Sequence, residues 1–397
     1  MTACDVSLRI VHSSVGKFHH QDLARQLYRR GVLHTYFTGY PRFKLTTLGV
    51  PWDKVDTFPW LVVPYHGGMR YGLLKEKHRR ALDWVTQDTF DRHVATNMPG
   101  ADLYIGLSCA SLHAGRAMQR HGGVYVCDRG SSHIRYQDRI LMEEYDRQKI
   151  PYVPIDSRVV AKEEEEYETA DAILVPSEFA FQSFIAEGVS PSKLRKVPYG
   201  VDLGRFSQVA SPSSDHFDVL FVGAVSVRKG LPDLLSAYTQ LQHPYKRLHI
   251  VGSIMDELKP LLQKYQKNDT SIMTYGPWPQ QNLRDVMSRS HVLVLSSIEE
   301  GLALVMAQAM ACGCPVIASE HTGARDLFTD GREGFVVPIR DPEAIAECLQ
   351  RLADDLDRRH EMSEAALRRV RFIGGWNEYG NKILETSLEL VHGKTAH

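Results

Sequence analysis

One run of residues constrains this chain more than any other. Val292-Leu293-Val294-Leu295 is continuously apolar, the pattern of a strand buried on both faces. A polar, acidic loop follows, Ser296-Ser297-Ile298-Glu299-Glu300-Gly301. Leu304 to Ala311 then holds strong helix formers with no Gly or Pro, and Gly313 and Pro315 stop the helix. Val316-Ile317-Ala318 returns as a strand. The unit is β-α-β, with its acidic loop at the carboxyl end of the first strand, the edge where open α/β sheets bind ligands. A carboxylate there accepts hydrogen bonds from ligand hydroxyls, and the helix N-terminus beside it favours an anion. The corner suits a sugar joined to phosphate. The plainer reading leaves Glu299 and Glu300 as solvated loop charges.

The same alternation repeats along the chain. Ser7 to Val11 reads as a first strand, the loop from His12 to Lys17 contains Gly16, and a helical period carries Leu23, Ala24 and Leu27. Short strands follow at 103–106, 124–127 and 193–197, and Ala170 to Ser177 reads as a strand running into a helix cap. A Ser-rich stretch with one Pro, 207–216, reads as a hinge. Beyond it Asp218 to Val222 forms a strand ending at Gly223, and further strands fall at 248–251 and 272–275. Two doubly wound α/β domains facing a cleft are expected. The first covers 1–206 and the second 207–375, with a helix at about 376–392 packing back on the first. The length of 397 residues accommodates two ordinary domains. A net charge of −1 gives no field that would draw nucleic acid. No long apolar run or signal-like N-terminus is present, so a cytoplasmic location is expected. The six cysteines form no Cys-x-x-Cys pair and read as reduced core residues without a zinc site.

The central unit resembles the nucleotide-binding signature of retaining glycosyltransferases of family 4, which have the GT-B architecture of two Rossmann-like domains. Ser297, Glu300, Gly301, Leu304, Ala309, Met310, Ala311, Gly313, Pro315, Val316 and Ile317 stand in register with Ser-x-x-Glu-Gly-Phe-Gly-Leu-x-x-x-Glu-Ala-Met-Ala-x-Gly-x-Pro-Val-Ile. Leu302-Ala303 replaces Phe-Gly, and Gln308 replaces the second Glu, which in the family holds the nucleotide ribose. Gln keeps hydrogen-bonding capacity but no charge. Ala224 to Gly230 resembles the family's Gly-Arg-Leu-x-x-x-Lys-Gly loop after Gly223; Lys229 takes the diphosphate position, and Arg228 supplies the second cation where Ala224 replaces Arg. Pro198-Tyr199-Gly200-Val201-Asp202 and Phe206 resemble the element that opens the interdomain linker.

The resemblance implies a metal-independent, retaining transfer from a nucleotide-diphosphate sugar, UDP- or GDP-linked, with no other cofactor. The acceptor would be a glycan, lipid or small molecule. Glu300, with backbone N–H groups near Leu302 and Ala303, would hold the sugar, and Lys229 and Arg228 the leaving diphosphate. Gly16 would approach the diphosphate, and Trp278 would wall the base. His133 would reach the transferred sugar, with His113 second and Asp128 or Arg129 as alternatives. Two other readings remain: a catalytically degenerate scaffold, favoured by Gln308 and Ala224, and a nucleotide-sugar epimerase. Arg70, Lys75, Lys77, Arg79 and Arg80, interleaved with Leu73, Leu74, Leu82 and Trp84, read either as a solvated face or as a peripheral membrane contact. Lys162 to Glu168 reads as a solvated acidic helix face.

Overall fold

The computed structural model describes residues 8–16, 18–70 and 76–395. Two all-parallel sheets carry the chain. The first contains β1 (Ile10–Ser14), β2 (Leu33–Thr38), β3 (Val55–Thr57), β4 (Leu103–Leu107), β5 (Val124–Asp128), β6 (Ala172–Val175) and β7 (Leu194–Lys196), in the order β3-β2-β1-β4-β5-β6-β7. The second contains β8 (Phe217–Val222), β9 (Lys246–Val251), β10 (Ile272–Thr274), β11 (Val292–Leu295), β12 (Val316–Ser319) and β13 (Gly334–Val337), in the order β10-β9-β8-β11-β12-β13. Both orders reverse beside the first strand of their sheet, at β1/β4 and β8/β11, which is where open α/β sheets leave a crevice.

β11 shows why its residues are strand rather than helix. Val292 and Val294 face one core cluster, and Leu293 and Leu295 face the other. All four are fully or almost fully buried, and each stabilises the fold by about 1.5–3 kcal/mol. β1 corrects the sequence reading, which started the strand at Ser7 and gave His12, Ser13 and Ser14 to a loop. These three residues are strand and buried. Their side chains pair inside the sheet, His12 Nδ1 with Ile105 O (3.0 Å), Ser13 Oγ with Tyr104 Oη (2.6 Å) and Ser14 Oγ with Tyr36 Oη (2.8 Å), while His12 Nε2 has no hydrogen bond. Polar residues paired within a sheet hide the apolar run that marks a buried strand.

The acidic helix is also corrected. In Ser157–Thr169, Lys162, Glu163 and Glu166 face inward. Glu166 accepts from the backbone N–H groups of Cys109 and Ser111, Glu163 pairs with Arg129, and Lys162 pairs with Asp88 and Asp91. Buried charges are stable only with such partners, which lie far away in sequence. Cys109, Cys127, Cys312, Cys314 and Cys348 are buried free thiols. Of the basic stretch proposed for membrane contact, 71–75 and the side chains of Arg70, Lys77 and Arg79 lie outside the described residues. Trp84 sits under the cations of Arg158 and Lys162, at 5.4 and 5.6 Å.

The domains are fastened by polar contacts. The helix Ile134–Arg147 leaves the first domain and lies against the second: Arg147 Nη2 donates to both Asp233 oxygens (2.7 Å each), and Arg340 Nε donates to the fully buried Glu144 (2.9 Å). The last helix, Trp376–Thr395, returns to the first domain, where Arg30 Nη2 donates to Asn381 Oδ1 (2.6 Å) and Lys394 Nζ to Gly123 O (2.8 Å).

Candidate active site

A cleft of about 950 Å³ opens between the carboxyl ends of the two sheets. Its second-domain wall is the pair of loops read from sequence. After β8, the chain passes Gly223 and Ala224 to Arg228 and Lys229; Gly230 then takes a left-handed conformation (φ 65°). A Cβ on Gly230 would stand 1.8 Å from Ser296 O, so only glycine lets this loop pack on the end of β11. After β11, the Glu300 carboxylate pairs with the Lys229 ammonium and accepts from Ser297 Oγ (3.2 Å). Both partners are 20% exposed, so this ion pair faces the cleft and can exchange partners with a ligand. Gly301, Leu302, Ala303, Leu304 and Gln308 line the same wall. The Ala303 N–H donates to Thr322 O (3.1 Å), so it does not serve a ligand as expected.

Glu299 is not a solvated loop charge. It is fully buried and bridges the domains. It accepts from Ser131 Oγ (2.7 Å), Ser132 N (3.0 Å), Ser132 Oγ (2.7 Å) and Gln137 Nε2 (2.9 Å) of the first domain. From its own domain it takes Arg228 Nη2 at 2.8 Å. Burial alone would push its carboxyl up; the Arg228 guanidinium and the hydrogen bonds from Ser132 and Ser131 outweigh that and hold it at about 2. Arg228 also donates to Glu299 O (3.1 Å) and Ser131 Oγ (3.1 Å), so its position depends on both domains. Gly301 marks the same junction: a Cβ there would lie 2.1 Å from Gly130 O.

The first-domain wall differs from expectation. His133 caps the helix Ile134–Arg147, its Nδ1 accepting from Arg135 N (3.2 Å), and its ring packs between Tyr167 and Phe184, each at 5.0 Å. It lines a separate cavity of about 240 Å³ with Glu164, Glu187 and Lys193, and burial lowers its pKa to about 4. His133 therefore does not reach the cleft, because the helix start turns its ring away from Gly130 and Ser131, which do. His113 is held by Asp88, at 3.2 Å, outside the cleft. His19 enters instead, its Nε2 on Asp128 Oδ2 at 2.8 Å and its ring stacked on Tyr199 at 4.1 Å. Arg129, one of the alternatives, lines the cleft and is locked to Glu163 (2.8 Å) and Gln137 (2.8 Å). Gly16 accepts from Ser14 Oγ (3.0 Å) and is not part of the cleft lining, where Phe18 and His19 stand. Trp278 belongs to another groove, of about 900 Å³, with Tyr275, His249 and Asp218 beside the helix Gln280–Arg289. Sequence reasoning missed His19 and the bridge between Glu299 and Ser131, whose partners lie in different domains.

Two doubly wound sheets with a cationic and an acidic loop converging in the crevice between them define a GT-B glycosyltransferase fold. Residues 205–369 match the family described as glycosyl transferases group 1. A putative colanic acid biosynthesis glycosyltransferase, WcaL of Salmonella typhimurium, is 29% identical over 197 residues, 46% of this chain and 47% of that one. A D-inositol 3-phosphate glycosyltransferase of Xylanimonas cellulosilytica is 28% identical over 265 residues, 62% of this chain and 63% of that one. The chain spans about half the length of the first of these curated relatives and somewhat more of the second. Among solved structures, sucrose-phosphate synthase from Thermosynechococcus elongatus superposes with a TM-score of 0.73 at 20% identity, covering 97% of this chain and 100% of that one. Anabaena Alr3699/HepE in complex with UDP and glucose gives 0.68 at 16% identity, covering 96% and 99%.

Proposed function

We propose that the protein transfers a sugar, with retention, from a UDP-linked donor to an acceptor hydroxyl. The observation that carries this reading is the Lys229–Glu300 pair facing the cleft. A nucleotide sugar offers each member a better partner, phosphate for the ammonium and hydroxyls for the carboxylate. Charge-assisted contacts of this kind are the strong ones. Arg228 and Lys229 would stabilise the leaving diphosphate without a metal ion. Gln308 on the same wall would meet the ribose by hydrogen bonding alone. The reading has no side-chain nucleophile: the acceptor attacks the face the diphosphate leaves, and the leaving phosphate takes the proton. The complex of HepE with UDP-glucose supports a uridine-linked donor in this reading. Acceptors named for relatives, such as D-inositol 3-phosphate, make a polyol or sugar hydroxyl the acceptor class.

A scaffold reading is favoured by the missing charges at Gln308 and Ala224. The two are separated by incubating the protein with UDP- and GDP-sugars, following hydrolysis or transfer and measuring thermal shifts with UDP and GDP. Transfer or slow hydrolysis with a shift by UDP supports the enzyme. No turnover and no shift with either nucleotide overturns it. Among the described residues no helix is long and apolar enough to cross a membrane.

A further inference from the structure

The loop that carries Glu300 is held from behind by the turn that follows β12. Ser319 Oγ donates to Ser297 O, the Glu300 N–H donates to His321 O (3.0 Å), and the Ala303 N–H donates to Thr322 O (3.1 Å). A further contact comes from a histidine ring: His321 Nδ1 lies 2.9 Å from Ile298 O. A carbonyl oxygen only accepts, so Nδ1 carries the proton and donates it. His321 therefore meets the loop twice, by its ring at Ile298 and by its backbone at Glu300. The residue between them, Glu299, is anchored by its carboxylate to Ser131, Ser132 and Gln137 of the first domain. The same histidine ring also touches the first domain. It stacks on Phe179 of the helix Glu178–Ala186, with centroids 4.3 Å apart and planes 22° apart, and it meets Tyr136 of the helix Ile134–Arg147 edge-on at 6.3 Å. Such aromatic contacts favour one orientation of the ring. The ring is half-buried and borders an interdomain cavity of about 480 Å³, outside the cleft that Lys229 and Glu300 line.

From this geometry we infer that His321 is a positioning residue for sugar transfer. Its Nδ1–H, aimed by the stack on Phe179, fixes the Ile298 peptide and with it the direction in which the Glu300 carboxylate points. The inference rests on the transferase reading of Glu300 and adds to it a residue that touches no donor. Three consecutive residues are pinned from two sides: Ile298 and Glu300 by His321, and Glu299 by the first domain. A segment held in this way keeps its carboxylate in one place. Misplacing a substrate-binding group by about 1 Å costs up to about a hundredfold in rate. Removing the ring releases Ile298 O while the backbone bond at Glu300 and the anchor at Glu299 remain, so a part of that loss is expected. The ring also links the loop to the first domain without entering the cleft, so its loss is felt through Glu300 and not through a contact with nucleotide.

The test compares three substitutions in the full chain. His321→Asn keeps an N–H donor at the position of Nδ1 and loses the stack, His321→Phe keeps the stack and loses the donor, and His321→Ala loses both. With the UDP-sugar that the parent protein turns over, His321→Phe and His321→Ala should lower kcat/KM by about tenfold, and His321→Asn should stay within about threefold of the parent. The Kd for UDP should be unchanged in all three, because Glu300 is assigned to the sugar and not to the nucleotide; a general loss of packing would weaken both. Hydrogen exchange gives a readout that needs no turnover. The Glu300 amide should exchange about tenfold faster in His321→Phe and His321→Ala than in the parent, and at close to the parent rate in His321→Asn. Circular dichroism confirms that each variant folds, and if His321→Ala does not, the Phe and Asn variants decide between them. A parent protein that turns over no donor sinks the transferase reading, while the exchange rates still judge His321. Exchange unchanged across the series, or His321→Asn as impaired as His321→Phe, overturns the positioning role.

Discussion

The two walls of the cleft were written into the chain in different ways. The second-domain wall is local: Lys229 and Arg228 follow one strand, Glu300 to Gln308 follow another, and each loop packs through its own glycine. The first-domain wall is composite. His19, Ser131 and Tyr199 come from three separate segments, and His19 is held by Asp128 and stacked on Tyr199. Between the walls stands Glu299, a second-domain residue satisfied mostly by first-domain donors. The contrast is one of origin: Lys229 and Glu300 pair within one domain, whereas Arg228 beside them is held where the two domains meet.

The largest effect should separate the donor wall from everything else. Lys229→Ala and Glu300→Ala should each lower kcat/KM for the donor by about a hundredfold, the scale of losing one stabilising group in a transition state. Steady-state kinetics with circular dichroism checks this, and turnover unchanged in both variants would refute the assignments.

Next comes the junction. Glu299→Ala removes the partner of Arg228 and strands buried donors from both domains, which should destabilise the protein by about 3 kcal/mol in denaturant unfolding. That is the low end for a broken buried pair, because Arg228 is 39% exposed and water can take up its charge. The carboxyl sits at about 2, below its ordinary value of 4.5, so its stabilising contribution is complete above about pH 4.5. The contribution falls away as the pH drops from there through about 2. Glu299→Gln should flatten that acid dependence; an unaltered acid transition would show that other carboxylates set it.

A smaller change should act on closure alone. Gly301→Ala places a methyl 2.1 Å from Gly130 O, so the walls must part. We expect about a tenfold loss in kcat and a larger radius by small-angle scattering. An unaltered radius would show that the junction yields locally.

The smallest effect sharpens the boundary of the first-domain wall. His133→Ala should change donor turnover by less than about twofold, because its ring lies between Tyr167 and Phe184 and not in the cleft. A loss of a hundredfold would place that ring in the reaction after all.

The alternation of strands and helices and the two second-domain loops that line the cleft were legible because each depends on neighbours in sequence. Val292–Leu295 reads as a buried strand on composition alone, and Lys229-Gly230 and Glu300-Gly301 gain meaning from fixed spacing. β1 was displaced because His12, Ser13 and Ser14 are polar residues that hydrogen-bond inside the sheet. The helix Ser157–Thr169 looked solvated because its partners, Cys109, Ser111, Arg129 and Asp91, lie tens of residues upstream. Trp278 and Gly16 were chosen correctly as loop residues, but loops at one sheet edge can face different crevices.

By itself, then, the sequence determined two wound sheets and which residues line one wall, since hydrophobic period, turn residues and short-range spacing are properties of contiguous chain. Only the tertiary structure decided which histidine borders the cleft, that Glu299 joins the domains rather than meeting solvent, and where Arg228 is held. Those outcomes are set by burial and by partners more than seventy positions away, and the worth of a charge or a hydrogen bond depends on what surrounds it once folded.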